Sequence, residues 1–171
     1  RAIVMRPRLL LLDEPMSSLD ADLRRRMRDV LFGVRDQFDL TFVHVTHDQA
    51  EALAISDQMA VMKNGRIEQL GTPQEIYERP SSRFVAGFVG IGGYLDEART
   101  HFARPEWVEV SRTDNGQGWR ACSVVQADYS GDRWLLTIAT TAVPLLAFTR
   151  DPQLATPGTN LWFRASRSIQ F

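Results

Sequence analysis

The sequence predicts an α/β segment built on parallel strands, followed by a small all-β domain. Up to about residue 89, apolar strand-like runs alternate with helical patterns. Beyond that point short segments are separated by glycine-containing turns, and all four tryptophans of the chain lie there. Three glycines within residues 90–93 hold no regular element well, so the predicted domains are residues 1–90 and 91–171.

The first predicted strand is the apolar run Leu9–Leu12, which Asp13, Glu14 and Pro15 end abruptly. An uninterrupted run of this kind is typical of a strand buried on both faces of a parallel sheet. A helix is predicted next, with Asp20 as its N-cap. Its apolar face comprises Leu23, Met27, Val30, Leu31 and Val34, which leaves the neighbouring arginines mostly in solvent.

A second strand is predicted at Thr41–Val45, and a short helix begins at Asp48 and ends near Ser56. Strand, helix and strand in this order indicate a right-handed crossover and parallel pairing. Asn64 and Gly65 then predict the turn of a β-hairpin. Two further helices are expected, one from Pro73 to a break at Pro80 and one from Ser82 to about Val89.

The composition restricts the function classes. A net charge of −1 gives no general attraction to nucleic acid, and apolar runs such as Leu9–Leu12 are far shorter than the roughly 20 residues of a membrane span. The single cysteine, Cys122, excludes an intramolecular disulfide and is typical of a reducing compartment. We therefore expect a cytoplasmic protein that contacts a membrane only through a partner.

The two carboxylates after the first strand carry the predicted chemistry. Ligands of open α/β sheets bind beyond the carboxyl ends of the strands. Asp13 there can hold Mg²⁺, directly or through water, and Glu14 can act as general base or orient an attacking water. His47 ends the second strand and would emerge at the same sheet edge, within reach of a terminal phosphate. The alternative for Asp13 and Glu14 is that they form only a polar exit from the strand into a loop. The alternative for His47 is a structural role at the end of its strand.

Order and spacing of these segments resemble the ATP-binding subunits of ABC-type importers. Leu9–Pro15 is similar to the Walker B strand, residues 17–20 to the D-loop, and residues 45–48 to the switch histidine. Residues 1–7 resemble the end of the helix after the signature motif, and residues 62–73 the hairpin and helix that close the nucleotide domain. The resemblance covers residues 1–89 and implies a P-loop NTPase-type fold, of which this chain would be the C-terminal portion.

The resemblance also implies roles and partners. Asp13 would hold Mg²⁺ through water, Glu14 would activate the catalytic water, and His47 would contact the γ-phosphate of ATP. Ser18 and Asp20 of the D-loop are assigned to the nucleotide site, with Asp20 carrying communication across a dimer of two ATP-binding subunits. Membrane permease subunits would be the direct partners at the inner face of the membrane, and a substrate-binding protein only an indirect one.

Residues 91–171 resemble the transport-associated OB-like domain of the same importers, on the stretch Phe102–Val108, the glycine turns and the closing Arg164–Phe171. Only 14 residues separate Gly90 from Arg104-Pro105, so its early strands are expected to be abridged. The tryptophans are assigned to the core and to interfaces.

The phosphate-binding loop is missing from these 171 residues. Such a loop needs a lysine, and the only one, Lys63, lies in the predicted hairpin turn. We therefore predict that this chain alone does not turn over ATP. One alternative is a non-catalytic regulatory or dimerisation module derived from such a subunit. A DNA-repair or chromosome-structure ATPase is disfavoured, because no heptad run follows the shared motifs.

Overall fold

The computed structural model describes residues 7–171, which form two compact units. The first contains residues 7–59 and 71–74, and the second contains residues 60–70 and 75–171. The expected helix end at residues 1–6 lies outside the described part. The limits of these units differ from the predicted domain boundary at residue 90. A division into compact units is a different property from a boundary between homologous domains, so the boundary at residue 90 stays a prediction.

The first unit has the predicted strand, helix, strand, helix order. Its elements are β1 (Leu9–Asp13), α1 (Ala21–Phe38), β2 (Thr41–Val45) and α2 (Gln49–Ile55). The two strands pair in parallel over their whole length, from Leu9 opposite Thr41 to Asp13 opposite Val45. Asp20 is the N-cap of α1 and Asp48 is the N-cap of α2, so both helices begin where the sequence predicts.

Two burial predictions for this unit are wrong. Leu9 and Leu11 of β1 are 50% and 70% exposed, so the strand is not covered on both faces. Within residues 7–171, β2 is its only strand neighbour, and their shared outward face has no cover. Along α1, three of the expected core residues, Leu23, Met27 and Val30, are exposed. Arg24 is half-buried instead and makes the polar contacts described below.

The predicted hairpin follows, and its residues 60–70 belong to the second unit. Its strands are β3 (Met59–Lys63) and β4 (Arg66–Gly71). Asn64 and Gly65 both have positive φ, 50° and 76°, as the turn type favoured by an Asn-Gly pair requires. Two short helices follow, α3 (Pro73–Glu78) and α4 (Arg83–Phe88), close to their predicted limits.

A five-stranded antiparallel sheet forms the centre of the second unit. Its strands are β7 (Val108–Ser111), β8 (Arg120–Tyr129), β9 (Trp134–Ala139), β10 (Leu145–Thr149) and β11 (Asn160–Ala165), in the order β10-β9-β8-β11-β7. Strand β10 also lies beside β7, so the sheet is nearly closed. A smaller sheet joins β5 (Gly93–Tyr94), β6 (His101–Ala103) and β12 (Ile169–Gln170) in the order β12-β6-β5.

The core of this unit fills the nearly closed sheet with alternating inward side chains. Its members are Ala103, Val108, Cys122, Val124, Leu136, Ile138, Leu145, Ala147, Leu154, Ala155, Leu161 and Phe163. All four tryptophans are partly buried, and Trp134 packs against this core. Among residues 7–171, no helix combines the length and the apolar character needed to cross a bilayer.

Cys122 belongs to this core, and burial raises the pKa of its thiol to about 11. Because the thiolate is the reactive species, we expect DTNB to label native Cys122 at least ~100-fold more slowly than an unstructured cysteine at pH 8. Stopped-flow labelling of the native chain and of the same chain in urea measures the ratio. Equal rates in the two conditions would contradict the burial of this thiol.

One charged side chain, Arg104, is fully buried in the second unit. Its Nη1 donates to the carbonyl oxygens of Ala86, Gly90 and Ile91 at 2.9, 2.8 and 3.2 Å, and its Nη2 donates to the carbonyl of Tyr77 at 3.2 Å. The guanidinium also lies 4.2 Å from the centre of the Tyr77 ring. Arg104 therefore ties α3, α4 and the segment after them to the β strands, and burial lowers its pKa.

Candidate functional site

The carboxyl ends of β1 and β2 bring together the acidic and histidine residues that the sequence singled out. Nδ1 of His47 lies 3.0 Å from Oε1 of Glu14, and both side chains are accessible, 70% and 46% exposed. Asp13 is the last residue of β1 and is also exposed. Parallel pairing causes this meeting, since it places both carboxyl ends at one edge of the sheet.

Glu14 has an unusual backbone. Its φ is 45°, in the left-handed region that residues other than glycine seldom adopt. Its N–H donates to the carbonyl of Val45 at 2.8 Å, and its own carbonyl accepts from the hydroxyl of Ser17 at 3.0 Å. These bonds hold the glutamate in a conformation that costs of order 1 kcal/mol, a cost that concentrates at functional sites.

The loop that carries His47 is held from both sides. The Thr46 hydroxyl donates to Glu51 Oε2 at 2.8 Å and accepts from the N–H of Asp48 at 3.0 Å. The other oxygen of Glu51 lies 3.2 Å from Nε2 of His44, and both of these side chains are largely buried. The two neighbours of His47 are thus fixed, while its imidazole points to the accessible sheet edge.

The D-loop residues take a defined place as well. Asp20 Oδ1 accepts from the N–H groups of Asp22 and Leu23 at 3.0 and 2.9 Å, which is the N-cap of α1. Ser18 is exposed in the preceding loop. Asp20 therefore has a structural task in the described part of the chain, and its assigned role at the nucleotide stays a prediction.

Sequence reasoning missed Arg24, which it placed on the solvated side of α1. Its Nη1 donates to Oδ2 of Asp48 at 2.8 Å, and its Nη2 donates to the carbonyl of Leu19 at 3.0 Å. A run of arginines at 24, 25, 26 and 28 hid it, because charge runs usually mark an exposed face. A weak signal was available, since helical spacing places position 24 on the same side as Leu31.

The residues at this edge fit a magnesium nucleotide. Mg²⁺ prefers hard oxygen ligands and usually takes one or two carboxylates, with substrate phosphates and water completing its shell. Asp13 and Glu14 offer accessible carboxylates there. Among residues 7–171, no group of three or more histidine, cysteine or acidic side chains is arranged to hold a metal ion by itself.

Comparison with curated proteins decides the family. The chain is 38% identical over 160 residues to the Fe(3+) ions import ATP-binding protein FbpC of Escherichia coli K12, an alignment that covers 81% of this chain and 46% of that protein. This chain belongs to the family of ABC importer ATP-binding subunits. No protein-family model matches it.

Two further ABC importer ATP-binding subunits extend the match. The spermidine/putrescine import ATP-binding protein PotA of Thermobifida fusca is 57% identical over 136 residues, which is 80% of this chain and 31% of that protein. Its counterpart from Acidothermus cellulolyticus is 60% identical over 95 residues, or 56% and 25% of the two chains. The chain spans less than half the length of these curated relatives.

Proposed function

We propose that this chain is the C-terminal part of an ATP-binding subunit that hydrolyses ATP to drive solute import. The observation that carries the proposal is the 3.0 Å contact between Glu14 and His47 at the carboxyl edge of two parallel strands. A carboxylate and an imidazole at this position suit phosphoryl transfer to water, in which catalysis consists of positioning and electrostatic stabilisation.

The proposed chemistry assigns one task to each side chain. Glu14 accepts a proton from, or orients, the water that attacks the γ-phosphate. His47 donates Nδ1–H to the Glu14 carboxylate, and Nε2–H is available to a terminal phosphate oxygen when the ring carries both protons. Asp13 holds Mg²⁺ through a water molecule. When bound, the ion neutralises charge on the phosphates.

We further propose that residues 91–171 form an OB-like transport-associated domain with abridged early strands. Its support is the nearly closed five-stranded sheet, preceded by β5 and β6 of two and three residues. An OB-fold is a five-stranded, partly open barrel, so the strand number agrees. The partly buried tryptophans suit packing and interface roles.

The proposed assembly follows from the relatives' names, which are those of import ATP-binding proteins. Two ATP-binding subunits would form a dimer against membrane permease subunits on the cytoplasmic face, with Ser18 and Asp20 near the shared nucleotides. The chain would meet a substrate-binding protein only indirectly. Iron and polyamines are the cargo of the named relatives, and the transported solute of this chain is left open.

The second candidate is a non-catalytic regulatory or dimerisation module of the same origin. Such a module would need no phosphate-binding loop, and none lies among the 171 residues of the chain. In that case Glu14 and His47 would be present in a protein that does not hydrolyse ATP, and the second unit would carry the function.

A chimera separates the two candidates. We expect Thermobifida fusca PotA to keep Mg²⁺-dependent ATPase activity, within about tenfold of the parent, when this chain replaces its homologous segment. The reason is that the replaced segment would supply Asp13, Glu14 and His47 to a phosphate loop provided by the parent. Phosphate release from the purified chimera measures this, and the isolated 171-residue chain should show none.

The matched control is the parent protein carried through the same purification, with melting curves for both proteins. A folded chimera that binds ATP without hydrolysing it would overturn the catalytic proposal and favour the non-catalytic module. Turnover by the isolated chain would contradict the assigned need for a phosphate loop.

A further inference from the structure

Arg24 joins two loops that the proposed function uses separately. One is the D-loop, defined as residues 17–20, and the other is the histidine loop, defined as residues 46–48. From α1, the guanidinium reaches the Leu19 carbonyl at 3.0 Å with one nitrogen and the Asp48 carboxylate at 2.8 Å with the other. We propose that Arg24 is a positioning residue that makes the D-loop and the histidine loop move as one body.

The geometry of the guanidinium carries this inference. Its two terminal nitrogens form a rigid planar fork, so two acceptors bound to them are held at a set separation. A lysine ammonium on a flexible stem would not impose that separation. Both partners are half-buried, with 38% of the Arg24 side chain and 31% of the Asp48 side chain exposed, so solvent competes only in part.

Each end of the clamp is connected onward to a residue of the site. Leu19 precedes Asp20, whose carboxylate caps α1 through Asp22 and Leu23. Asp48 follows His47, and its other oxygen, Oδ1, caps α2 through the N–H of Glu51 at 3.0 Å. A displacement of Asp20 is therefore passed through Arg24 to the backbone beside His47. A displacement of His47 is passed to Asp20 through the same contacts.

A neighbouring arginine offers the contrast. Arg25 pairs with Asp22 one turn back on α1 at 2.9 Å, and both side chains are mostly exposed, 65% and 80%. That pair lies within one element, so it joins no loops. Exposed pairs of this kind contribute little. Charge alone therefore does not make an arginine of this helix a clamp.

This inference deepens the proposed function and rests on it for its meaning: it ties the residue assigned to dimer communication to the residue assigned to the γ-phosphate. When the dimer closes around Asp20, the clamp would set the position of His47 in the same subunit. The physical link itself is independent of nucleotide, and it can be tested on the 171-residue chain.

The test is backbone amide hydrogen exchange by NMR, with Asp48→Ser as the main variant. Serine keeps an N-cap acceptor for α2 but removes the carboxylate that Arg24 binds. The amides of Asp22 and Leu23 donate to Asp20 of the D-loop, on the far side of the clamp. We expect these amides to exchange ~10-fold faster, as loss of a charge-assisted bond predicts. Amides of residues 30–38 in α1 should change less than about twofold, which separates transmission from global unfolding.

Two arginine variants complete the design. Arg24→Lys keeps the charge and loses the fork, so it should raise exchange in both loops, whereas Arg25→Gln should raise it in neither. The proposal is overturned if Asp48→Ser changes only residues 46–52 and leaves Asp22 and Leu23 within about twofold of the parent. If the chimera is inactive but Asp48→Ser still speeds exchange at Asp22 and Leu23, the proposed function is rejected and the role of Arg24 as a clamp stands. If the chimera is active but exchange at Asp22 and Leu23 does not change, the clamp is rejected and the proposed function stands.

Discussion

Replacing Arg104 by alanine is expected to lower the free energy of unfolding of the second unit by about 3–5 kcal/mol. The side chain is fully buried and donates to four backbone carbonyls. Removing it leaves the buried carbonyl of Ala86 and three partly buried carbonyls without this donor, at a cost of about 1–3 kcal/mol for each one that water does not satisfy. A cavity between the rings of Tyr77 and Phe102 adds to the loss.

Urea unfolding followed by tryptophan fluorescence measures this change in the right place, since all four tryptophans lie in the second unit. Arg104→Lys should be nearly as damaging, because one ammonium cannot reproduce the fork. Arg120→Ala is the matched control: Arg120 is exposed and lies over the ring of Phe163, and its loss should cost less than about 1 kcal/mol. A change below about 1 kcal/mol for Arg104→Ala would show that water replaces the guanidinium.

In the chimera, Glu14→Gln is expected to lower kcat for ATP by 10²–10⁴-fold, the usual contribution of a positioned general base. Glutamine keeps the size of the side chain and loses the negative charge that accepts the proton. Glu14 is 46% exposed, so the substitution should leave the melting temperature within about 2 °C. Nucleotide binding should persist, because the phosphate loop of the parent is untouched.

Single-turnover phosphate release and equilibrium ATP binding separate the two effects. Glu97→Gln provides the control, an exposed carboxylate outside the site whose loss should leave kcat within about twofold. His47→Ala should also reduce kcat while Glu14 remains in place. Unchanged kcat in Glu14→Gln would remove this glutamate from the proposed chemistry and leave its left-handed backbone without a functional account.

Local patterns were sufficient to predict the elements of the first unit and the hairpin that follows them. Asp20 and Asp48 mark the helix starts because a side-chain oxygen must accept from the free N–H groups of a first helical turn, whatever surrounds the helix. Asn64 and Gly65 predict the hairpin because few residues tolerate positive φ in succession. Parallel pairing follows from element order and brings Glu14 to His47.

Burial could not be predicted from the same patterns. A run of four leucines is typical of a strand covered on both faces, yet how much of Leu11 is covered depends on which elements lie against it. The arginines of α1 illustrate the same limit. Arg24 and Arg25 stand in the same run of charged residues, and the position of Asp48 in space makes one a clamp and leaves the other exposed.

The glycines before β5 show the difference between composition and structure. They predict an irregular stretch, but a side chain at Gly90 would place its Cβ 2.9 Å from the Tyr77 ring and 3.2 Å from Nη1 of Arg104. The stretch therefore needs glycine for close packing rather than for freedom alone. Nothing in the spacing of residues 90–93 indicates that a buried arginine lies against them.

By itself, the sequence determined the order of the elements, their capped ends, the parallel crossover and the motifs that identify the family, because these depend on neighbours along the chain. The tertiary structure alone decided which apolar faces are covered, that Arg104 is buried among carbonyls, and that Arg24 joins two loops. The contacts of Arg104 and the contact between Arg24 and Asp48 join residues 13 to 27 positions apart, whose meeting is set by packing of whole elements.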